Sequence, residues 1–291
     1  WPQVHERVDF VLIAGDLYDG DWKDYNTGLF FVSQMAVLRE NNIKAVIVAG
    51  NHDAASQITK NLRLPDNVSA LNTHKPETLI LESEGVAIHG QGYGTRAITD
   101  NLVASYPKAI PELLNIGILH TCMEGREGHE PYAPCSLDDL ISRGYEYWAL
   151  GHVHNKEIIN KFPMVVFSGN TQGRNIRETG AKGCMLVLVE DGEITDIAFK
   201  SLDVFRWSSL ELDVSGAKHI DDIFDIAERA VQREALAVNM PSAVRINLTG
   251  SSSLHGRILS QEEYVKSGIR ACAVDAGNGN IWVEKICFNT R

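Results

Sequence analysis

The chain has 291 residues, 44% of them hydrophobic and 22% charged, a balance that excludes disorder or low complexity as a description of the whole. Its 38 acidic side chains outnumber 27 basic ones, for a formal charge of -11, which argues against a broadly basic nucleic-acid surface but leaves room for metal cations and a local basic patch to receive an anionic phosphodiester. The length suits one large domain, or a large and a small one, with a core that needs no disulfide staples.

From residue 8 to about residue 202, short apolar runs alternate with amphipathic stretches, the pattern of a layered α/β domain. Residues 8–15 read as a buried strand and 27–42 as a helix whose expected inner face carries Leu29, Phe30, Val32, Ser33, Ala36 and Val37. A second buried strand is expected at 43–50, and further strands at 78–81, 86–89, 115–120, 147–151 and 164–168, with helices at 98–105 and 136–143. Asp191-Gly192, between strands 185–190 and 194–202, is a hairpin turn because both residues tolerate positive φ. After Phe205 the order becomes strand (209–214), helix (220–236), strand (243–249), helix (261–271) and strand (280–288). The first of these helices opens with Asp221 and Asp222 at its positive end and carries Ile223, Ile226, Ala227, Ala230 and Val231 on one face. The expected organisation is a domain at 1–203 followed by a small α+β domain at 204–291.

No apolar run approaches the roughly 18 residues of a membrane span, and residues 1–9 lack the charged and apolar regions of a secretory signal. The five cysteines (Cys122, Cys135, Cys184, Cys272 and Cys287) are scattered with no C-x-x-C pair. That argues against a disulfide framework or a thiolate zinc site, and for a reducing cytoplasm.

Four segments place metal-competent side chains just past the carboxyl ends of expected strands, where open α/β sheets gather their ligands. They are Gly15-Asp16-Leu17-Tyr18-Asp19, Gly50-Asn51-His52-Asp53, His120, and Gly151-His152-Val153-His154. Each alone has a plain structural reading: a Gly-Asp makes a turn, an Asn-His-Asp caps a helix, and a single histidine packs. Together they put carboxylate, amide and imidazole donors in the same relative place. Asp16 can bridge two cations, and Asn51 offers a neutral oxygen. His152 and His154, two residues apart in an extended segment, point to the same side and can each grip a different metal. Imidazole with carboxylate and no thiolate suits manganese, iron or zinc. Two cations roughly 3.5–4 Å apart would clamp a phosphodiester and lower the pKa of a bridging water. His52 is then free for proton transfer, with Asp53 beside it to orient the ring.

These segments resemble the second to fifth motifs of the calcineurin-like metallophosphoesterase superfamily. Tyr132-Ala133-Pro134-Cys135 with Asp139-Leu140, the run from Tyr145 to His154, Ser168-Gly169-Asn170-Thr171-Gln172-Gly173-Arg174, and Arg177-Glu178-Thr179-Gly180-Ala181-Lys182-Gly183 are similar to SbcD-type DNA-repair exonucleases. The resemblance covers residues 8–203 by motif and extends more loosely through the last domain, which is similar to the capping domain of these nucleases. It implies a four-layer α-β-β-α sandwich with a smaller α+β capping domain. It also implies Asp16 as the bridging ligand, Asn51, His120 and His152 as the rest of one metal's shell, His154 on the other metal, and His52 as general acid or transition-state stabiliser. Two divalent ions, manganese foremost, DNA as substrate, an SbcC-type SMC-like ATPase as partner, a homodimer and a cytoplasmic setting follow from the same resemblance.

One departure stands out. The superfamily begins with an Asp-x-His motif upstream of the Gly-Asp segment, and residues 1–10 do not supply it; His5 follows no Asp. From the residues present, the site is expected to be empty or to hold a single cation at the four-ligand position, because its neighbour keeps only Asp16 and His154. His5, His74, His89, His129, His219 and His255 read as surface or core histidines, and Tyr147 and Trp148 as sheet core. Arg174, Arg177 and Lys182 form a basic cluster that fits either a solvated loop or phosphate contact, and Tyr18 either lines the substrate cleft or packs. Three functions are open at this point: a metal-dependent DNA phosphodiesterase, a metallophosphoesterase acting on a small phosphoester, and a catalytically silent scaffold that binds DNA or the ATPase.

Overall fold

The computed structural model describes residues 5–18, 25–55, 62–123 and 132–291, so Asp19 and His129 lie outside the described residues. The chain divides into two compact units, Trp1–Asn170 with Cys184–Lys200, and Thr171–Gly183 with Ser201–Arg291. The division differs from a single cut after residue 203, because Thr171–Gly183 belongs with the later residues. Within the second unit the Gln172 amide donates to the Phe205 carbonyl at 2.6 Å, and the Trp207 indole donates to the Gly173 carbonyl at 3.2 Å.

The first unit opens with three parallel strands, β1 (Phe10–Ile13), β2 (Lys44–Ile47) and β3 (Val68–Ala70), paired in that order. Helix α1 (Tyr25–Glu40) runs between β1 and β2, and the short α2 (Asn51–Ala55) follows β2. A second sheet holds β4 (Glu77–Leu81), β5 (Val86–Gly90), β6 (Leu114–His120), β7 (Tyr147–Gly151), β8 (Glu157–Lys161) and β9 (Met164–Phe167) in the order β4-β5-β6-β7-β9-β8. Its four inner strands are parallel and its two edges antiparallel.

Alternation along the strands builds the layers. Ala45 and Ile47 of β2 meet Phe31, Met35 and Leu38 of α1. Val46 and Val48 face the other way, onto Ile88, Ile116, Ile118 and Val166 of the second sheet. The opposite face of that sheet, with Leu119, Trp148, Leu150, Val165 and Phe167, is covered by Tyr106 and by Leu140 of α3 (Leu137–Ile141). The hairpin of β10 (Gly183–Glu190) and β11 (Glu193–Ser201) adds Met185, Val187, Ile194 and Ile197 to the inner core. The result is the α-β-β-α sandwich in four layers.

Several local expectations are corrected. On α1 the buried residues are Gly28, Phe31, Met35 and Leu38, whereas Leu29 and Phe30 are 60% and 65% exposed. Residues 29–32 are apolar all round and set no phase; Met35 and Leu38 set it. The helix expected at 98–105 is a single 3-10 turn, Leu102–Ser105, started where the Asn101 side chain accepts the Val103 N–H at 3.0 Å. Two strands, β3 and β8, carried no readable period: β3 has three residues, and the edge strand β8 is largely polar and irregular near Asn160.

The second unit contains β12 (Arg206–Asp213), β13 (Ser242–Gly250) and β14 (Ile281–Thr290), all parallel. Helix α4 (Ile220–Val238) joins the first pair, and α5 (His255–Ser260) with α6 (Glu262–Ala276) joins the second. Ile223, Ala227, Ala230 and Val231 of α4 and Val265, Ile269 and Ala273 of α6 pack against Leu212, Val244, Ile246, Leu248 and Ile286 of the sheet. The strand–helix alternation thus resolves into two parallel crossovers, a finer description than α+β. Asp222 starts α4 by accepting the N–H groups of Lys218 and His219 at 2.7 and 2.9 Å, and Asn239, at φ 50°, ends it. Among the described residues no helix is long and apolar enough to cross a membrane.

Trp148 is fully buried, stacked on Tyr145 at 5.0 Å between ring centroids and tilted against Tyr106 at 5.7 Å, and Gly117 on β6 leaves space for its ring. Replacing it by alanine (W148A) should cost about 3–5 kcal/mol in urea unfolding of the intact chain, through lost burial and an unfilled cavity. A cost below about 1 kcal/mol would show that this face of the sheet collapses freely around the gap.

Candidate functional site

Asp16 follows β1, Asn51 opens α2 directly after β2, His120 ends β6 and His152 follows β7. Parallel pairing of β1 with β2 and of β6 with β7 brings these ends together. Nδ1 of His120 lies 2.9 Å from the carbonyl oxygen of Ala14. A carbonyl only accepts, so Nδ1 carries the proton and Nε2 presents its lone pair. That lone pair faces the amide oxygen of Asn51 at 2.9 Å and a carboxylate oxygen of Asp16 at 3.4 Å. The donor atoms of Asp16, His120 and His152 all lie within 4.8 Å of one another, and the two imidazole rings meet edge to face at 5.2 Å. Lone pairs converging on one point repel unless a proton or a cation sits among them, and two imidazoles with oxygen donors suit a divalent ion. The residues present fit a metal.

Local backbone makes the convergence possible. A Cβ at Gly15 would meet Nδ1 of His120, one at Gly50 the carboxylate of Asp16, and one at Gly151 the carbonyl of Ala14. Asp16 and His152 themselves sit at φ 55° and 94°, a region L-residues avoid and which marks functional sites. Burial pushes the Asp16 carboxyl up, but in the metal-free chain a proton on Nε2 of His120, where a cation would otherwise sit, and the backbone N–H and charge of His52 hold it below its ordinary value. Its other oxygen accepts the His52 N–H at 3.0 Å.

The remaining sequence candidates fall in different places. His52 is half-buried with its backbone on Asp16, and His154 lies outside the three-residue donor group. The expected role of Asp53, orienting the His52 ring, is corrected: its buried carboxylate accepts the backbone N–H groups of Gly50, Leu17 and Tyr18 at 2.9, 3.2 and 3.0 Å. Asp53 therefore ties the loop carrying Asp16 to the loop carrying Asn51. Burial, then these N–H donors and the charge of Asp16, act on its carboxyl and leave it above the usual range.

Tyr18 packs and does not line a cleft. It is 5% exposed, with its ring edge-on to Phe31 at 6.3 Å, and burial followed by the Asp53 charge pushes its phenol up to about 12. Arg174 and Arg177 belong to the second unit. The Arg174 guanidinium binds the buried Glu178 carboxylate at 3.2 and 3.3 Å, whereas Arg177 is exposed. Lys182 is buried among the charges of Glu178 and Asp203; burial lowers its pKa against those two carboxylates. His89 is a core residue, stacked on Tyr145 at 4.4 Å and bonded to Thr78 and Asn115. Sequence reasoning missed Tyr93 and took Tyr132 only as part of a motif with no site role; their rings lie 5.5 Å from His120 and His152 respectively. The flanking Gly92 and Gly94, just past a strand end, were the available sign for Tyr93.

The four-layer fold and this donor set define a metallophosphoesterase, and the chain belongs to the calcineurin-like phosphoesterase family, whose profile matches residues 2–156. That family hydrolyses phosphoesters with divalent metals. The middle domain of metallophosphoesterase YhaO matches residues 207–291. The chain is 36% identical over 253 residues to the uncharacterized metallophosphoesterase YhaO of Bacillus subtilis, covering 86% of this chain and 62% of that protein. It is 25% identical over 239 residues to the DNA double-strand break repair protein Mre11 of Methanocaldococcus jannaschii, covering 77% of this chain and 63% of that protein. The chain thus spans less than two thirds of the length of either relative.

Replacing Asp53 by asparagine (D53N) turns one acceptor oxygen into an N–H donor against a buried backbone N–H. We expect a loss of about 1–3 kcal/mol in thermal or urea unfolding, together with weaker manganese binding in a calorimetric titration, because Asp16 sits one residue from a released amide. Unchanged stability and metal affinity would remove Asp53 from its role as tie.

Proposed function

We propose that the chain is a metal-dependent DNA phosphodiesterase, an exonuclease of the SbcD type serving DNA repair. The observation that carries the phosphoester chemistry is the convergence of Asp16, Asn51, His120 and His152; DNA as its substrate is supported by the likeness to Mre11 over 77% of the chain.

In this reading Asp16, Asn51, His120 and His152 would hold one divalent ion, manganese being the choice, and Asp16 with His154 would be the ligands these residues offer to a second. When bound, the metal polarises a phosphoryl oxygen and makes water acidic enough to attack at neutral pH. Asp16 keeps its charge because the backbone N–H of His52 donates to its carboxylate. His120 keeps Nε2 available because Ala14 fixes its proton on Nδ1. His52, anchored through its backbone to Asp16, supplies a proton to the departing oxygen from its ring. The second unit holds DNA, with Arg174 and Arg177 as candidate phosphate contacts. An SMC-like ATPase of the SbcC type, a second copy of the chain and a cytoplasmic setting complete the proposal. The donor group argues against a silent scaffold.

The test uses the full chain with manganese, a linear DNA duplex and bis-p-nitrophenyl phosphate. DNA cleavage is expected. Turnover of the small ester alone would replace the nuclease reading with that of a small-phosphoester hydrolase, and turnover of neither would favour the scaffold. In the same assay H52A should lower kcat by roughly 100-fold or more at unchanged bound manganese, while D16N should lose metal and activity together. Loss of metal from H52A would make His52 a ligand and not an acid.

A further inference from the structure

We propose that Tyr93 is a further residue of this phosphoester site, its hydroxyl a hydrogen-bond donor kept for an oxygen of the phosphoester or phosphate that comes to the Asp16, His120 and His152 group. The proposal rests on the metallophosphoesterase assignment and is independent of DNA as substrate.

Tyr93 lies just past β5, at the same carboxyl edge of the parallel strands as His120. Its backbone is fixed against the loop that carries Asn51: the Tyr93 N–H donates to the Ala49 carbonyl at 2.8 Å, and a Cβ on the preceding Gly92 would come within 2.7 Å of the Ala49 nitrogen. From there the ring meets His120 edge to face, 5.5 Å between centroids and 87° between planes.

The hydroxyl is the anomaly. Tyr93 is 1% exposed, yet its oxygen has no hydrogen-bond partner among the described residues. Two other tyrosines of the same core are satisfied: Tyr106 donates to the Ile118 carbonyl at 3.0 Å and accepts the Gln91 N–H at 2.9 Å, and Tyr145 donates to the Pro107 carbonyl at 2.7 Å. A phenol buried without a partner is costly where a phenylalanine would fill the same space at no such penalty, so the oxygen calls for a function. A protonated phenol is a poor metal ligand and a good partner for a phosphoryl oxygen.

The test is Y93F in the full chain, with inorganic phosphate as probe in saturating manganese and bis-p-nitrophenyl phosphate as substrate. Metal-free thermal stability should be unchanged or higher, because the unpartnered hydroxyl is gone. Manganese affinity should be unchanged. Phosphate binding by calorimetry should weaken about 10- to 100-fold, the range of one hydrogen bond to a charged group, with kcat falling alongside. Phosphate affinity within about twofold of the parent would overturn the proposal, as would a drop in metal-free stability, which would show that the hydroxyl is bonded inside the fold. A parent chain that binds no phosphate in manganese would instead overturn the reading of the donor group as a phosphoester site.

Discussion

The hydrogen bond between Nδ1 of His120 and the carbonyl of Ala14 holds the candidate centre in its working form. It joins the end of a strand in the six-stranded sheet to the end of a strand in the three-stranded one, across the core the two sheets share. It also decides the chemistry of the ring: with the proton committed to Nδ1, Nε2 is left as a Lewis base aimed at the oxygens of Asn51 and Asp16. Without that commitment the same ring could turn a proton toward Asn51 and be an ordinary structural histidine.

The approach of these strand ends is close because nothing projects between them. Gly15, Gly50 and Gly151 occupy positions where a methyl group would strike Asp16, His120 or Ala14. The Asp53 carboxylate then fastens the two loops of the smaller sheet through three backbone N–H groups. Rigidity at the centre thus comes from backbone contacts, and the functional side chains are left to face one another.

The layers and most of the donor set were legible in the sequence because their signals are local. Buried parallel strands read as short apolar runs, and each ends directly in its functional residue: Gly15-Asp16, Gly50-Asn51, His120, Gly151-His152. What could not be read depends on distant partners. Asp53 looked like a neighbour for His52, but its hydrogen bonds to Leu17 and Tyr18 span 36 and 35 positions of sequence. The inner face of α1 was ambiguous because residues 29–32 are apolar on every side. The membership of Thr171–Gly183 in the second unit follows from contacts with Phe205 and Trp207 that no periodicity encodes. Tyr93 reads as core by composition; the Tyr18 hydroxyl also has no partner among the described residues, and what sets Tyr93 apart is that its unpartnered oxygen belongs to a ring packed edge-on against His120.

The donor residues come from four separate strand ends, at positions 16, 51, 120 and 152, so the unfolded chain has no preformed site for a cation. An ion captured there recognises the assembled sandwich alone. Linkage then makes the metal a thermodynamic staple as well as a reagent: at a hundredfold excess over its dissociation constant it adds about 2.7 kcal/mol to the folded state, a large fraction of what keeps an ordinary domain folded. Metal supply would in that way govern how long the chain survives in the cell as well as how fast it works.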